Sequence, residues 1–229
     1  SSLAGAGTVQ FTGGTVTSNG TYNVTGTTEI AGGTAVINGS TTGALLLSSG
    51  TLSGTGTLTV TGDVTKTGAG TTAVSKALAV AGGLAVQAGT LQFTGGTHSI
   101  GGLTTNAGAV QVLAGTLTLQ GGASGAGTYA TSGVLELAGS ATYTLAALTG
   151  TGNLVVNNTT GTAGTTIGNT TGAVGITGST VSINTSNTAG LVTTIGSTNA
   201  GAGLPISGDG TSRRGCSTWP RTPARRARG

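Results

Sequence analysis

Leu84-Ala-Val-Gln-Ala-Gly-Thr-Leu-Gln-Phe93 and Val110-Gln-Val-Leu-Ala-Gly-Thr-Leu-Thr-Leu119 are two versions of one phrase. In each, a short apolar run ends at Ala-Gly and a second run follows in which Leu, Phe or Val alternates with Thr or Gln. Alternation with period two is the mark of a strand buried on one face only. The Gly between the runs allows a corner too tight for other residues. Leu135-Glu-Leu-Ala-Gly-Ser-Ala-Thr-Tyr-Thr-Leu145 is a looser third copy.

Similar runs appear through the chain: Thr8-Val-Gln-Phe11, Thr34-Ala-Val-Ile37, Thr57-Leu-Thr-Val60, Thr90-Leu-Gln-Phe93, Thr116-Leu-Thr-Leu119 and Thr142-Tyr-Thr-Leu145. Their first residues are 26, 23, 26 and 26 apart over Thr8–Thr34, Thr34–Thr57, Thr90–Thr116 and Thr116–Thr142. Regular spacing places equivalent strands above one another. We therefore expect an all-β fold, a single-stranded parallel β-helix (β-solenoid) with rungs of roughly 25 residues, two or three strands to each. About 200 residues in such rungs, stacked at about 4.8 Å, make roughly eight rungs and a rod about 40 Å long. The same alternation also permits a β-sandwich or an antiparallel meander. No helical period competes; Thr71 to Val86 comes nearest and is cut by Gly82 and Gly83.

Composition agrees with a long thin core. Of 229 residues, 47 are Gly and 50 Thr, while only 5% are charged and 3% aromatic. Yet 35% are hydrophobic, mostly small or β-branched, which argues against disorder. Three segments follow: a solenoid over 1–197, a Gly-rich linker over 198–211 and an Arg/Pro-rich tail over 212–229, expected to be disordered.

The net charge of +4 belongs to that tail. All six Arg lie between Arg213 and Arg228, with the single Cys and Trp, Cys216 and Trp219. Arg, Ala, Pro and Gly dominate GC-rich DNA read in a wrong frame, which we prefer to a polyanion-binding tail. Before Arg213 there are Lys66 and Lys76 against Glu29, Asp63, Glu136 and Asp209, a net of −2. A nucleic-acid partner is not expected. One Cys excludes an intrachain disulfide and a cysteine-built zinc site. No apolar run is long enough to span a bilayer. The lack of Met and of a leader pattern reads as an internal or processed fragment.

Gly56-Thr-Leu-Thr-Val60, Gly89-Thr-Leu-Gln-Phe-Thr-Gly-Gly96, Gly115-Thr-Leu-Thr-Leu-Gln-Gly-Gly122 and Gly150-Thr-Gly-Asn-Leu-Val-Val156 resemble the repeats of autotransporter passenger domains and filamentous-haemagglutinin-like exoproteins. The resemblance is one of composition and repeat over most of Ser1–Ser197. It implies a right-handed β-helix exported to a bacterial cell surface or secreted, and it transfers no site residue.

Parallel β-helices also carry polysaccharide-cleaving enzymes, which need clustered carboxylates or carboxylates with Lys or Arg. Four acids spread over 212 residues do not suggest an enzyme. No catalytic, cofactor-binding or metal-binding residue is assigned, and no cofactor is expected. His98 reads as an outward strand residue and Asp209, in Ser207-Gly-Asp-Gly210, as a turn. Asn-x-Ser/Thr acceptors at Asn19, Asn23, Asn38, Asn157, Asn158, Asn169 and Asn184 are what a Ser/Thr-rich chain produces by chance. The expected function is a surface-displayed or secreted adhesin-type rod or spacer. Its partners would be host or matrix surfaces, glycans or other solenoid chains. Self-assembly into a fibre or surface layer is a second reading, and ice binding through paired Thr at Thr15/Thr17, Thr57/Thr59, Thr116/Thr118 and Thr142/Thr144 a third.

Overall fold

The computed structural model describes residues 2–158, 165–167 and 180–183. They fall within one compact unit, Ser1–Leu191, while Val192–Gly229, with the expected linker and tail, lies outside the described residues. Every described element is a strand, and every strand pairing is parallel. The chain is a parallel β-solenoid, so the antiparallel alternatives fall away.

One turn shows how it is built. Thr57–Val60, Val64–Lys66 and Thr71–Val74 form three sides of a coil. Along each strand the side chains alternate: Leu58 and Val60 point in and Thr57 and Thr59 out. Directly above, Ala77–Val80, Leu84–Val86 and Thr90–Phe93 repeat the pattern. The third face contains eight strands, from Thr15–Ser18 to Ala147–Gly150, which marks eight complete turns. The first and second faces join into one sheet because Tyr22–Ile30 and Ser40–Leu47 run through their corner without a break.

The rung is shorter than the expected 25 residues. Leu78 stacks on His98, 20 residues away, and Leu117 on Leu135, 18 away. The spacing of 26 had added a step from one face to the next to a full turn. Thr90 opens a third-face strand; its partner one turn on is Ala109, and Thr116 opens the first-face strand seven residues later. The two phrases Leu84–Phe93 and Val110–Leu119 therefore lie on different pairs of faces. They look alike because a strand and corner on any face solve one problem, two inward apolar residues and a tight bend.

Inside, the faces contribute vertical columns: Leu58, Leu78, Leu117, Leu135 and Leu154 on the first, Val64 and Leu84 on the second, Val74, Phe93 and Val112 on the third. Each such side chain contributes about 1.5–3 kcal/mol on leaving water. Corner amides continue the ladder: Thr116 N–H donates to Gly96 O at 3.0 Å and Asn153 N–H to Gly133 O at 2.8 Å. Close stacking of corners explains many glycines. A Cβ on Gly102 would stand 2.7 Å from backbone atoms of Gly82 and Gly83 in the turn beneath, with no side chain to yield.

Candidate functional site

The outward side chains are the candidate interaction surface. On the first face they run Thr57/Thr59, Ala77/Ala79, Thr97/Ser99, Thr116/Thr118 and Val134/Glu136, in register from turn to turn. The second face carries Thr65, Ala85, Thr105 and Ser124 in one column. The third carries Thr51, Ala73, Gln92, Gln111 and Ala130. Neighbouring turns bond through these groups: Gln92 Nε2 donates to Gln111 Oε1 at 2.8 Å, Thr118 Oγ1 to Glu136 Oε2 at 2.8 Å, and Gln10 Nε2 to Glu29 Oε2 at 2.9 Å. The four Thr-x-Thr pairs are dispersed. Thr15/Thr17 lie on the third face, Thr57/Thr59 and Thr116/Thr118 on the first with Ala77/Ala79 between, and Thr144 on the second. No single face carries them all.

A concavity opens at one corner of the described turns. Where the first face bends into the second, the corner at Gly43 is one residue shorter than its neighbours: Gly43 alone stands opposite Thr25-Gly26, and Gly43-Ala44 opposite Thr61-Gly62-Asp63. That corner recedes between its neighbours and leaves an open notch of about 700 Å³, lined by Thr25, Thr27, Ala44, Thr61, Asp63 and Thr65. Asp63 Oδ1 accepts from Gly83 N–H at 2.7 Å, which props the edge of the notch. Glu29, on the second face, and Glu136, on the first, lie elsewhere. Among the described residues no three of His, Cys, Asp and Glu come together as a metal site would require. Asp209 lies outside the described residues.

The interior holds several titratable groups, among them the one histidine expected on the surface. His98 is not outward-facing: it is fully buried, in the first-face column between Leu78 and Leu117. Its parity was legible, since in Thr97-His-Ser-Ile100 it shares the inward side with Ile100. Nε2–H donates to Gly95 O at 2.6 Å, the ring meets Phe93 at 4.5 Å between centroids, and buried Nδ1 has no partner. Burial holds its pKa below the ordinary 6.5, with the Gly95 carbonyl opposing. The unfolded chain therefore takes up the proton first as pH falls, and stability drops below about pH 6.5. His98→Leu, matching its column, is expected to remove that slope in urea titrations at pH 5 and pH 7.5; an unchanged slope would refute the assignment.

Lys66 and Lys76 are also fully buried, with pKa values lowered by desolvation. Lys66 Nζ donates to Ser48 O at 3.1 Å and to Gly68 O, and Lys76 Nζ to Thr55 O at 2.8 Å, so each ties a corner to its own or the preceding turn. The Tyr22 hydroxyl, Thr28 Oγ1 and Thr42 Oγ1 form a buried chain at 2.6 and 2.8 Å, completed by Ala44 O at 3.1 Å. Tyr129 has no such chain; burial pushes its pKa up to about 12 despite the neighbouring Asn106 amide. None of these groups reaches solvent, so they organise the core and leave the outward columns and the notch for contact with other molecules.

No protein-family model matches the chain, and no curated protein or solved structure matches it either.

Proposed function

We propose that this chain is a non-enzymatic rod, surface-displayed or secreted by a bacterium, that makes weak multivalent contacts or serves as a rigid spacer. The observation that carries the reading is the set of in-register outward columns of Thr, Ser, Gln and Ala, which stack small hydroxyl, amide and methyl groups from turn to turn. One such group binds weakly; many at a fixed spacing of about 4.8 Å bind together, and avidity exceeds any single affinity by about 10²–10⁴. Bonds between turns within a column, such as Gln92 to Gln111, hold that spacing. The repeats look like those of autotransporter passengers and filamentous-haemagglutinin-like exoproteins, which supports export and adhesion. Glu29, Asp63 and Glu136 on separate parts of the surface support a contact role over a chemical one.

Beads densely coated with the chain should adhere to glycan-bearing, matrix or cell surfaces at least about 100-fold more avidly than the free protein. Coated beads that bind none of these surfaces would overturn the adhesive reading and leave the spacer.

A further inference from the structure

The notch at the Gly43 corner lies within the stack, with a longer corner on either side of it. Its volume of about 700 Å³ falls within the range of small-molecule sites, about 300–1,000 Å³. Its lining is of three kinds. Thr25 Oγ1 donates to Gly5 O at 3.2 Å and Thr61 Oγ1 to Thr42 O at 3.3 Å, which leaves both hydroxyl oxygens as acceptors. Asp63 is the strongest acceptor, since Gly83 N–H holds Oδ1 at 2.7 Å and Oδ2 is left for a ligand. Thr27 and Thr65 add hydroxyls that can donate as well as accept. The third kind is apolar: Ala44, with Leu46 turned outward between Glu29 and Thr65 in the second-face column.

Charge narrows the ligand. Among the described residues the basic side chains besides buried His98 are Lys66 and Lys76, and both are fully buried on corner carbonyls. Neither neutralises Asp63, and Glu29 beside Leu46 places a second carboxylate in the adjoining column. An anionic ligand is therefore repelled. A simple cation would use the carboxylate and leave the hydroxyl donors and the apolar wall idle. A sugar ring uses all three: its hydroxyls donate to Asp63, Thr25 and Thr61, its oxygens accept from Thr27 and Thr65, and its C–H face covers Ala44 and Leu46.

We infer that the notch is a binding site for a neutral sugar ring of a glycan and that it rejects acidic sugars. The inference rests on the contact role proposed above and gives it a place and a ligand class. A ring bound in an open notch keeps one side in water, so a single site should bind with a Kd of about 0.1–10 mM.

The test is a magnetic-resonance titration of the isotope-labelled 229-residue chain with maltotriose, cellotriose and chitotriose, and with trigalacturonate as the acidic counterpart. At least one neutral trisaccharide should shift the amides of residues 25–27, 43–46 and 61–65 along one saturating curve. Trigalacturonate should leave them in place. Insertion of one Gly after Gly43 gives that corner the length of its neighbours, so the strand signal should persist while the notch fills and sugar binding is lost. Asp63→Asn keeps an oxygen for Gly83 N–H but removes the charge, and binding should weaken about ten-fold. No shift with any neutral probe, shifts spread over other faces, trigalacturonate bound as tightly as the neutral sugars, or binding undiminished by Asp63→Asn would each overturn the inference. Coated beads separate it from the adhesive reading. Beads that adhere equally with and without the inserted Gly overturn the notch and keep that reading. Saturating shifts at the notch, with beads that adhere to nothing, keep the notch and overturn that reading.

Discussion

Gly115→Val is expected to destabilise the solenoid by about 3–5 kcal/mol, the largest effect of any single substitution considered. Two costs combine. Gly115 has φ of +75°, a region in which a β-branched residue is a true outlier. A Cβ there would also meet the Gly96 backbone of the turn beneath, with N at 2.9 Å, C at 3.0 Å and O closer still. The obstacle is main chain, so it cannot rotate aside, and lifting it would part the hydrogen bond from Thr116 N–H to Gly96 O. Because stacked turns depend on their nearest neighbours, the break should appear locally, as separate unfolding of the two halves. Gly70→Ala is the control: no atom lies within 4 Å of its Cβ position and its φ is ordinary, so it should be neutral or stabilising by up to about 1 kcal/mol. Urea unfolding followed by circular dichroism measures both. A Gly115→Val midpoint equal to that of the parent would contradict this account of the corners.

Lys66→Ala comes second, with an expected loss of about 2–5 kcal/mol. Lys66 stands in the column between Leu47 and Val86, so truncation opens a cavity within the stack. It also removes the amine from Ser48 O and Gly68 O. Lys66→Met fills the column and abolishes the desolvated charge, at the expense of those carbonyl bonds, so its cost should be clearly smaller than that of Ala. The pH dependence gives an independent check. Burial lowers the Lys66 pKa from 10.5, so the unfolded chain holds its proton to higher pH than the folded one. Stability should therefore rise as pH climbs from the folded value towards 10.5. Lys76 contributes in the same direction, so Lys66→Met should lessen the alkaline gain without abolishing it. A gain equal to that of the parent would show that Lys66 is solvated, against its burial.

Both predictions turn on positions whose identity, but not whose role, could be read in the sequence. Alternation in Thr57-Leu-Thr-Val60 and Thr116-Leu-Thr-Leu119, together with Gly at the bends, was sufficient for short half-buried strands joined by tight corners, because period two and tight corners are local properties of the chain. The inward parity of His98 and Lys66 was legible too: His98 alternates with Ile100, and Lys66 with Val64. His98 was nonetheless expected to face outward, because polar residues are ordinarily assigned to the surface. The candidate site was far less legible. The notch exists only because the Gly43 corner is one residue shorter than the corners stacked on either side of it.

What the sequence determined by itself is the all-β class and the nearly uncharged body, since these follow from composition and from alternation within four residues; the parallel pairing that makes a solenoid of it came from the structure. Tertiary structure alone decided the length of the turn. Strand-and-corner units on all three faces obey the same local rules, so the chain repeats itself every face as well as every turn. Only the hydrogen-bonded register, joining residues 17 apart at Thr34 and Thr51, 20 at Leu78 and His98 and 22 at Gly50 and Thr72, distinguishes the two. The same register decided which Thr share a face and which glycines touch the turn beneath.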